Sequence, residues 1–148
     1  MDQSLATFLE GGGFRRVRLS RTGVGHCEVA GTLNAYPVRV LIDTGAASTV
    51  ASLSRIREFG LPVQPLQRCG AGAGGGNLQV FQVEGGELRL GDVIPKLAVL
   101  LAMDLSHVNA ALAQKGVDPV DLILGVDVFD AHAAIIDYGS DSLFLKDI

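Results

Sequence analysis

The chain has no tryptophan, two cysteines and three histidines in 148 residues. Each scarcity removes a class of protein. Cys27 and Cys69 are too few for a disulfide framework, and His26, His107 and His132 stand at no metal-ligand spacing. No metal and no cofactor is expected. The two thiols read as small buried apolar residues, with a single disulfide left open. No run approaches the ~18 apolar residues of a membrane span. The opening MDQSLATFLE lacks the basic segment and long apolar run of an intact signal peptide. The chain as it stands reads as cytoplasmic, and removal of a leader would make it periplasmic or exported. A basic excess is missing as well. The formal net charge is −4, and the one basic cluster, Arg15-Arg16-Val17-Arg18, reads as a solvated strand edge, so nucleic acid is not an expected partner.

What remains is a folded globular protein, with 48% apolar and 19% charged residues. The length predicts one domain over 1–148, with 1–13 as a disordered or additional N-terminal segment. Most of the chain alternates in short runs between turn residues. FRRVRLS (14–20), CEVAGTL (27–33) and YPVRVLI (36–42) read as strands, the last two as a hairpin across Asn34-Ala35. NLQVFQVEGGELRLG predicts a second hairpin across Gly85-Gly86, and IPKLAVLL (94–101) a further strand. Leu53, Ile56 and Phe59 before Gly60 predict a short helix. LSHVNAALAQKG (105–116) predicts another, with Ser106 as N-cap and Gly116 as the stop. DLILG is a short apolar strand, and AAIIDYGSDSLFL a closing hairpin that turns at 138–141.

Residues 69–76, CGAGAGGG, put Gly70, Gly72 and Gly75 at the G-x-G-x-x-G spacing of a dinucleotide loop. Such a loop needs an apolar strand before it and a helix opening on its last glycine. Here LPVQPLQRC precedes it and the alternating NLQVFQV follows, so both contexts fail. A surface loop or the mobile tip of a hairpin fits better, because glycine lowers the barriers to backbone motion.

The carboxylate that stands out is Asp43 in VRVLIDTGAAST (38–49). It follows an apolar strand, where an unpaired charge costs several kcal/mol, and small residues follow at once. Capping the helix near Ser52 is excluded by distance along the chain, whereas an Asx-turn role stays open. Asp104, Asp118, Asp121 and Asp127 read as turns, caps or polar anchors, and His107 and His132 as structural histidines.

LIDTGAAS resembles the catalytic signature of retropepsin-like aspartic proteases. The second element of that family, two hydrophobic residues and a glycine, matches Ile123, Leu124 and Gly125. The stretch VDLILGVDVFDAHAAIIDY, with Asp127 after the glycine, is similar to the C-terminal half of bacterial members, and the glycine loop falls where the family places its flap. The resemblance covers about residues 27–146. It implies a mainly β fold, a small closed acid-protease barrel with two or three short helices. It also implies Asp43 as the catalytic residue, with Thr44, Gly45 and Ala46 supporting the active-site loop. Gly70, Ala71, Gly72, Ala73, Gly74 and Gly75 become flap and substrate-binding residues, and Ile123, Leu124 and Gly125 the motif behind the catalytic loop. The 105–116 helix lengthens the connection found in viral members, and the flap is unusually rich in glycine.

Hydrolysis by this route needs two carboxylates that share one proton. The chain holds a single Asp-Thr-Gly. DYGS at 137–140 is a degenerate copy with no room for a supporting segment after it, and reads better as a hairpin turn. The resemblance therefore implies a homodimer that cleaves a protein or peptide substrate with Asp43 of each chain. Ala46 has no hydroxyl to donate to the carboxylate, whereas pepsin-like enzymes carry one there, so the expected optimum is weakly acidic to neutral. Two alternatives are a dimer of the same fold that binds or assembles peptides without cleaving them, and an unrelated small-molecule β-barrel.

Overall fold

The computed structural model describes residues 2–71 and 77–148, with side chains at 4–67 and 78–148. In chain order the elements are α1 (Asp2–Gly11), β1 (Phe14–Arg18), β2 (Ser20–Arg21), β3 (Cys27–Leu33), β4 (Tyr36–Ile42), β5 (Val50–Ser52), α2 (Leu53–Glu58), β6 (Val63–Ala71), β7 (Asn77–Val83), β8 (Leu88–Leu90), β9 (Leu100–Met103), α3 (Ser106–Gln114), β10 (Leu122–Leu124), α4 (Val126–Ala131), β11 (Ile135–Asp137) and β12 (Ser142–Lys146). The fold is mainly β, as expected. Four helices form among the described residues instead of two or three. The first lies in the segment before residue 14, and α4, at six residues, is too short for its period to show in sequence. None of the helices is long and apolar enough to cross a membrane.

The strands make two sheets. One is ordered β1-β12-β11; the other runs β2-β3-β4-β10-β5-β9-β7-β6, with β8 also on β3. Among the described residues the expected closure into a barrel is not present, because β2 and β6 at the ends of the larger sheet do not pair. β2 has two residues, and β6 carries Pro65, which has no N–H to donate, and a register shift between Pro65 and Cys69.

The hairpin β3–β4 forms with Leu33 opposite Tyr36, and Asn34 and Ala35 both take positive φ, 47° and 71°. That is the twist two-residue hairpins favour. Its inward residues Val29, Leu33, Val38 and Val40 join Leu122, Leu124 and Val128 in one buried cluster. Each fully buried Leu or Val of this kind contributes about 1.5–3 kcal/mol. Cys27 belongs to the same cluster as a free thiol.

Three local expectations are corrected. The strands on either side of Gly85-Gly86 do not pair with each other: β7 pairs with β6 and β9, while β8 crosses to β3. Asn34 causes this. Its side chain donates to the Gly85 carbonyl at 3.2 Å and accepts from Glu87 N at 2.7 Å, which pulls the connection onto the β3–β4 turn. The strand expected over 94–101 begins only at Leu100. Pro95 lacks a donor, and Lys96 N–H is directed to the His132 ring instead of a neighbouring strand. Ser106 is the first residue of α3 and not its cap. Asp104 Oδ1 accepts Ser106 N at 2.8 Å, and that backbone bond holds the Asp104 carboxyl below its ordinary value. Gly116 ends the helix as expected, at φ +74°.

Candidate active site

β4 and β10 run parallel, with Leu122 opposite Val40 and Leu124 opposite Ile42. The two strands end together, and the loop after β4 is hung on the turn after β10. Asp43 N donates to Leu124 O at 3.1 Å, and Val126 N donates to Ala46 O at 2.8 Å. Between these anchors the loop turns on Ala46 N to Asp43 O at 3.1 Å. Asp43 is half-buried, while Thr44 and Gly45 are exposed at the crest. Gly45 N donates to Asp43 Oδ1 at 2.9 Å, so the carboxylate also makes the Asx contact that the sequence left open. A Cβ on Gly45 would stand 3.3 Å from that same oxygen.

The glycine behind the loop has a steric reason. A Cβ on Gly125 would lie 2.6 Å from Ala46 O and 2.9 Å from both the carbonyl carbon and oxygen of Ser48. Only glycine lets the two backbones approach this closely. Ile123 and Leu124 deliver it there: Leu124 is fully buried and Ile123 half-buried, as β10 is wedged between β4 and β5.

Two further residues lock the arrangement. Thr49 is fully buried, and its hydroxyl donates to Asp127 Oδ1 at 2.7 Å while accepting Gly125 N at 3.1 Å. Asp127 also accepts Thr49 N at 2.9 Å and Val128 N at 2.9 Å. Asp127 is thus a polar anchor, one of the roles its sequence left open. Thr49 was not singled out beforehand, because a threonine before an apolar strand carries no signal without its partner, which lies 78 residues away. Asp118 and Asp121 are anchors too. Asp121 accepts Arg39 N at 2.8 Å and pairs with Arg55, and Asp118 pairs with Arg39. Arg39 also pairs with the buried Glu28, and that hydrogen bond, ahead of the nearby charges, raises its pKa further above the ordinary range.

Of the residues expected in the flap, Gly70 and Ala71 end β6, opposite Leu78 and Asn77 of β7. Gly72, Ala73, Gly74 and Gly75 lie outside the described residues. Strand stands on both sides of the glycines, so the helix that a dinucleotide loop needs is absent there. Beside Ser48 of the Asp43 loop a cavity of about 450 Å³ opens, lined also by Asp127, Leu66, Gln82, Val99 and Leu101.

The second candidate carboxylate is committed elsewhere. Asp137 accepts Ser140 Oγ at 2.6 Å and Gly139 N at 3.1 Å within the β11–β12 turn. Among the described residues no group of His, Cys, Asp and Glu could hold a metal ion.

An apolar strand leading into Asp-Thr-Gly is thus backed by a parallel strand leading into glycine. The family model for aspartyl proteases matches residues 29–128, which include the Asp43 loop, Gly125 and Asp127. The chain belongs to the aspartyl protease family. Among solved structures it is similar to a retropepsin-like aspartic protease from Rickettsia conorii, at 17% identity over 89% of this chain and 90% of that one, with a TM-score of 0.59. It is also similar to the retroviral protease-like domain of Ddi1 from Leishmania major, at 17% identity over 82% and 88%, TM-score 0.56. EIAV protease, solved with an inhibitor, shares 22% identity over 76% of this chain and 92% of its own, TM-score 0.53. The fold is retropepsin-like. No curated protein matches the chain.

Proposed function

We propose that the protein is an aspartic endopeptidase that acts as a homodimer, with Asp43 of each of two copies forming one catalytic pair. The observation that supports this most is the loop itself. Asp43 is held by backbone bonds from behind, while Thr44 and Gly45 face outward from a single-copy half-site. The chain offers no second loop of this kind among the described residues, since Asp137 is taken by Ser140 and Gly139. A two-fold axis beside Thr44 supplies the missing carboxylate by symmetry, with residues 1–148 acting as one folded unit per copy.

Two carboxylates a few ångströms apart keep one proton between them. The ionised member takes a proton from water as the water oxygen attacks the scissile carbonyl carbon. The protonated member gives its proton to the carbonyl oxygen. The tetrahedral intermediate then collapses, a proton moves to the leaving nitrogen, and acid and amine products separate. Thr44 holds the two loops in register, and Gly45, whose N–H donates to Asp43 Oδ1, has no side chain to block the approach of water to the carboxylate. Residues 70–75 of each copy cover an extended peptide, and the cavity beside Ser48 receives one of its side chains.

Mixing separates a shared site from an independent one. Wild-type and Asp43→Asn copies are combined at constant total concentration, and cleavage of a peptide library is followed by mass spectrometry. A shared pair makes activity fall with the square of the wild-type fraction. A linear fall overturns the dimeric site, and equal cleavage by both pure proteins overturns the role of Asp43. Absence of cleavage by the wild type at any pH from acid to neutral would favour the peptide-binding reading.

A further inference from the structure

His132 follows α4 directly and is 3% exposed. Its ring lies between two backbone groups. Nδ1 is 2.8 Å from the Lys146 carbonyl oxygen, and Lys96 N–H is directed at Nε2 from 2.9 Å. A carbonyl can only accept and an amide N–H can only donate, so the two partners select a single form of the ring. Nδ1 carries the proton and donates, and Nε2 is a bare acceptor. Neither partner can reverse its role, because both belong to the main chain.

The bond to Lys96 has an unusual share in holding its segment. Residues 94–99 form no strand or helix, and among the described residues Lys96 N to His132 Nε2 is the one hydrogen bond they make. His132 itself is firmly placed, since its N–H donates to Val128 O at 3.0 Å and its carbonyl accepts Lys146 N at 2.8 Å. The 94–99 segment also walls the cavity that Ser48 and Asp127 line, through Lys96, Leu97, Ala98 and Val99.

We propose that His132 is a proton-operated latch. The neutral ring pins the 94–99 segment against α4 and β12, and protonation releases it. A proton on Nε2 sets N–H against N–H, so the ring and Lys96 must separate. The charged groups that line one cavity with the ring are Lys96 from the segment, Asp92 just before it, Arg15 from β1 and Asp147 beyond β12. Asp147 is paired with Arg15 at 2.9 Å. On α4, Asp127 is held by Thr49, and Asp130 stands two residues before the ring. Acid therefore loosens a wall of the cavity beside the Asp43 loop, independently of whether that loop hydrolyses peptides.

The test is made on the uniformly ¹⁵N-labelled protein by ring nitrogen spectra and amide protection factors, from neutral pH down to the onset of acid unfolding. The expected result is an Nδ1–H ring at the upper pH. The Lys96 protection factor then falls about tenfold or more as the ring titrates, while Val40 and Leu124 keep theirs. In His132→Gln, which carries no titrating ring, Lys96 protection should not change with pH over this range. An Nε2–H or charged ring at the upper pH overturns the proposal, as does Lys96 protection that is flat through the titration. A loss shared equally by Val40 and Leu124, or one retained in His132→Gln, also overturns it. Should the variant not fold, the wild-type ring form and the Lys96-to-Val40 comparison decide alone.

Discussion

Two turns in this molecule start from nearly the same words. Asp43-Thr44-Gly45 follows Leu41-Ile42, and Asp137-Tyr138-Gly139 follows Ile135-Ile136. In both, the aspartate oxygen accepts the N–H two residues on, at 2.9 Å from Gly45 and 3.1 Å from Gly139. From there they diverge. The second turn folds straight back into β12, and Ser140 donates to the remaining carboxylate oxygen at 2.6 Å. The first is not allowed to fold back. Its anchors, Leu124 O, Val126 N and the Gly125 backbone, come from the end of β10 and the start of α4, far along the chain. A local turn satisfies both oxygens of its aspartate with its own neighbours, whereas in the loop propped from behind Asp43 Oδ2 has no hydrogen-bond partner among the described residues. That difference, more than the tripeptide, separates a structural aspartate from a candidate catalytic one.

The comparison is broken most severely at the carboxylates themselves. Asp43→Asn should reduce peptide cleavage by about 10³-fold or more, while Asp137→Asn should leave it within about twofold. Both are read by mass spectrometry on the same peptide library. Comparable losses in the two would remove the distinction.

The prop comes next. Gly125→Ala drives a methyl group into Ala46 O and Ser48, and should cost about 3 kcal/mol, a melting temperature lower by roughly 6–12 °C by calorimetry. An unchanged melting temperature would mean that the two backbones can part without loss.

Thr49→Val keeps the shape but removes the hydroxyl that joins Gly125 N to Asp127. A buried N–H and a carboxylate oxygen lose a partner, and unfolding in urea should show a loss of about 1–3 kcal/mol. The turnover number should fall with little change in KM, since the residue touches the loop and not the substrate.

The smallest effect belongs to the local turn. The hydrogen bond from Ser140, with help from Gly139 N–H, holds the Asp137 carboxyl below its ordinary value of 3.8. A depressed folded value means that the associated stabilisation is present above the unfolded value and lost as pH falls through the folded one. Ser140→Ala should move the Asp137 titration upward toward the ordinary value, followed by carboxyl carbon NMR, with cleavage unaffected.

How much of this was legible follows the range of each interaction. The β3–β4 hairpin, its Asn34-Ala35 turn, α2 and the closing hairpin depend on neighbours in sequence, and alternation and turn chemistry were enough to read them. The Asp43 loop and the Ile123-Leu124-Gly125 segment were legible as a resemblance. The reason for the glycine was not, because it lies in a backbone contact with Ala46 and Ser48. Where the strand readings failed, a distant side chain had taken over a backbone group. Asn34 diverts the Gly85-Gly86 turn away from a hairpin, and the His132 ring takes the amide that a strand at Lys96 would have used. Thr49 was invisible for the same reason. Barrel closure depends on what two edge strands do at opposite ends of a sheet, and Pro65 was the one local hint against it.

The parallel pairing of β4 with β10 also has a consequence for when the site comes into being. Parallel neighbours need a long crossover, and here β5 to β9 and two helices lie between them. Contacts of such separation form late, since closing the intervening loop must precede any gain from the contact. During synthesis Asp43 leaves the ribosome long before Leu124, Gly125 and Asp127 exist to hold it. An unfinished chain thus carries the carboxylate but not its support, and whatever this site does is withheld until the chain has been made beyond Asp127.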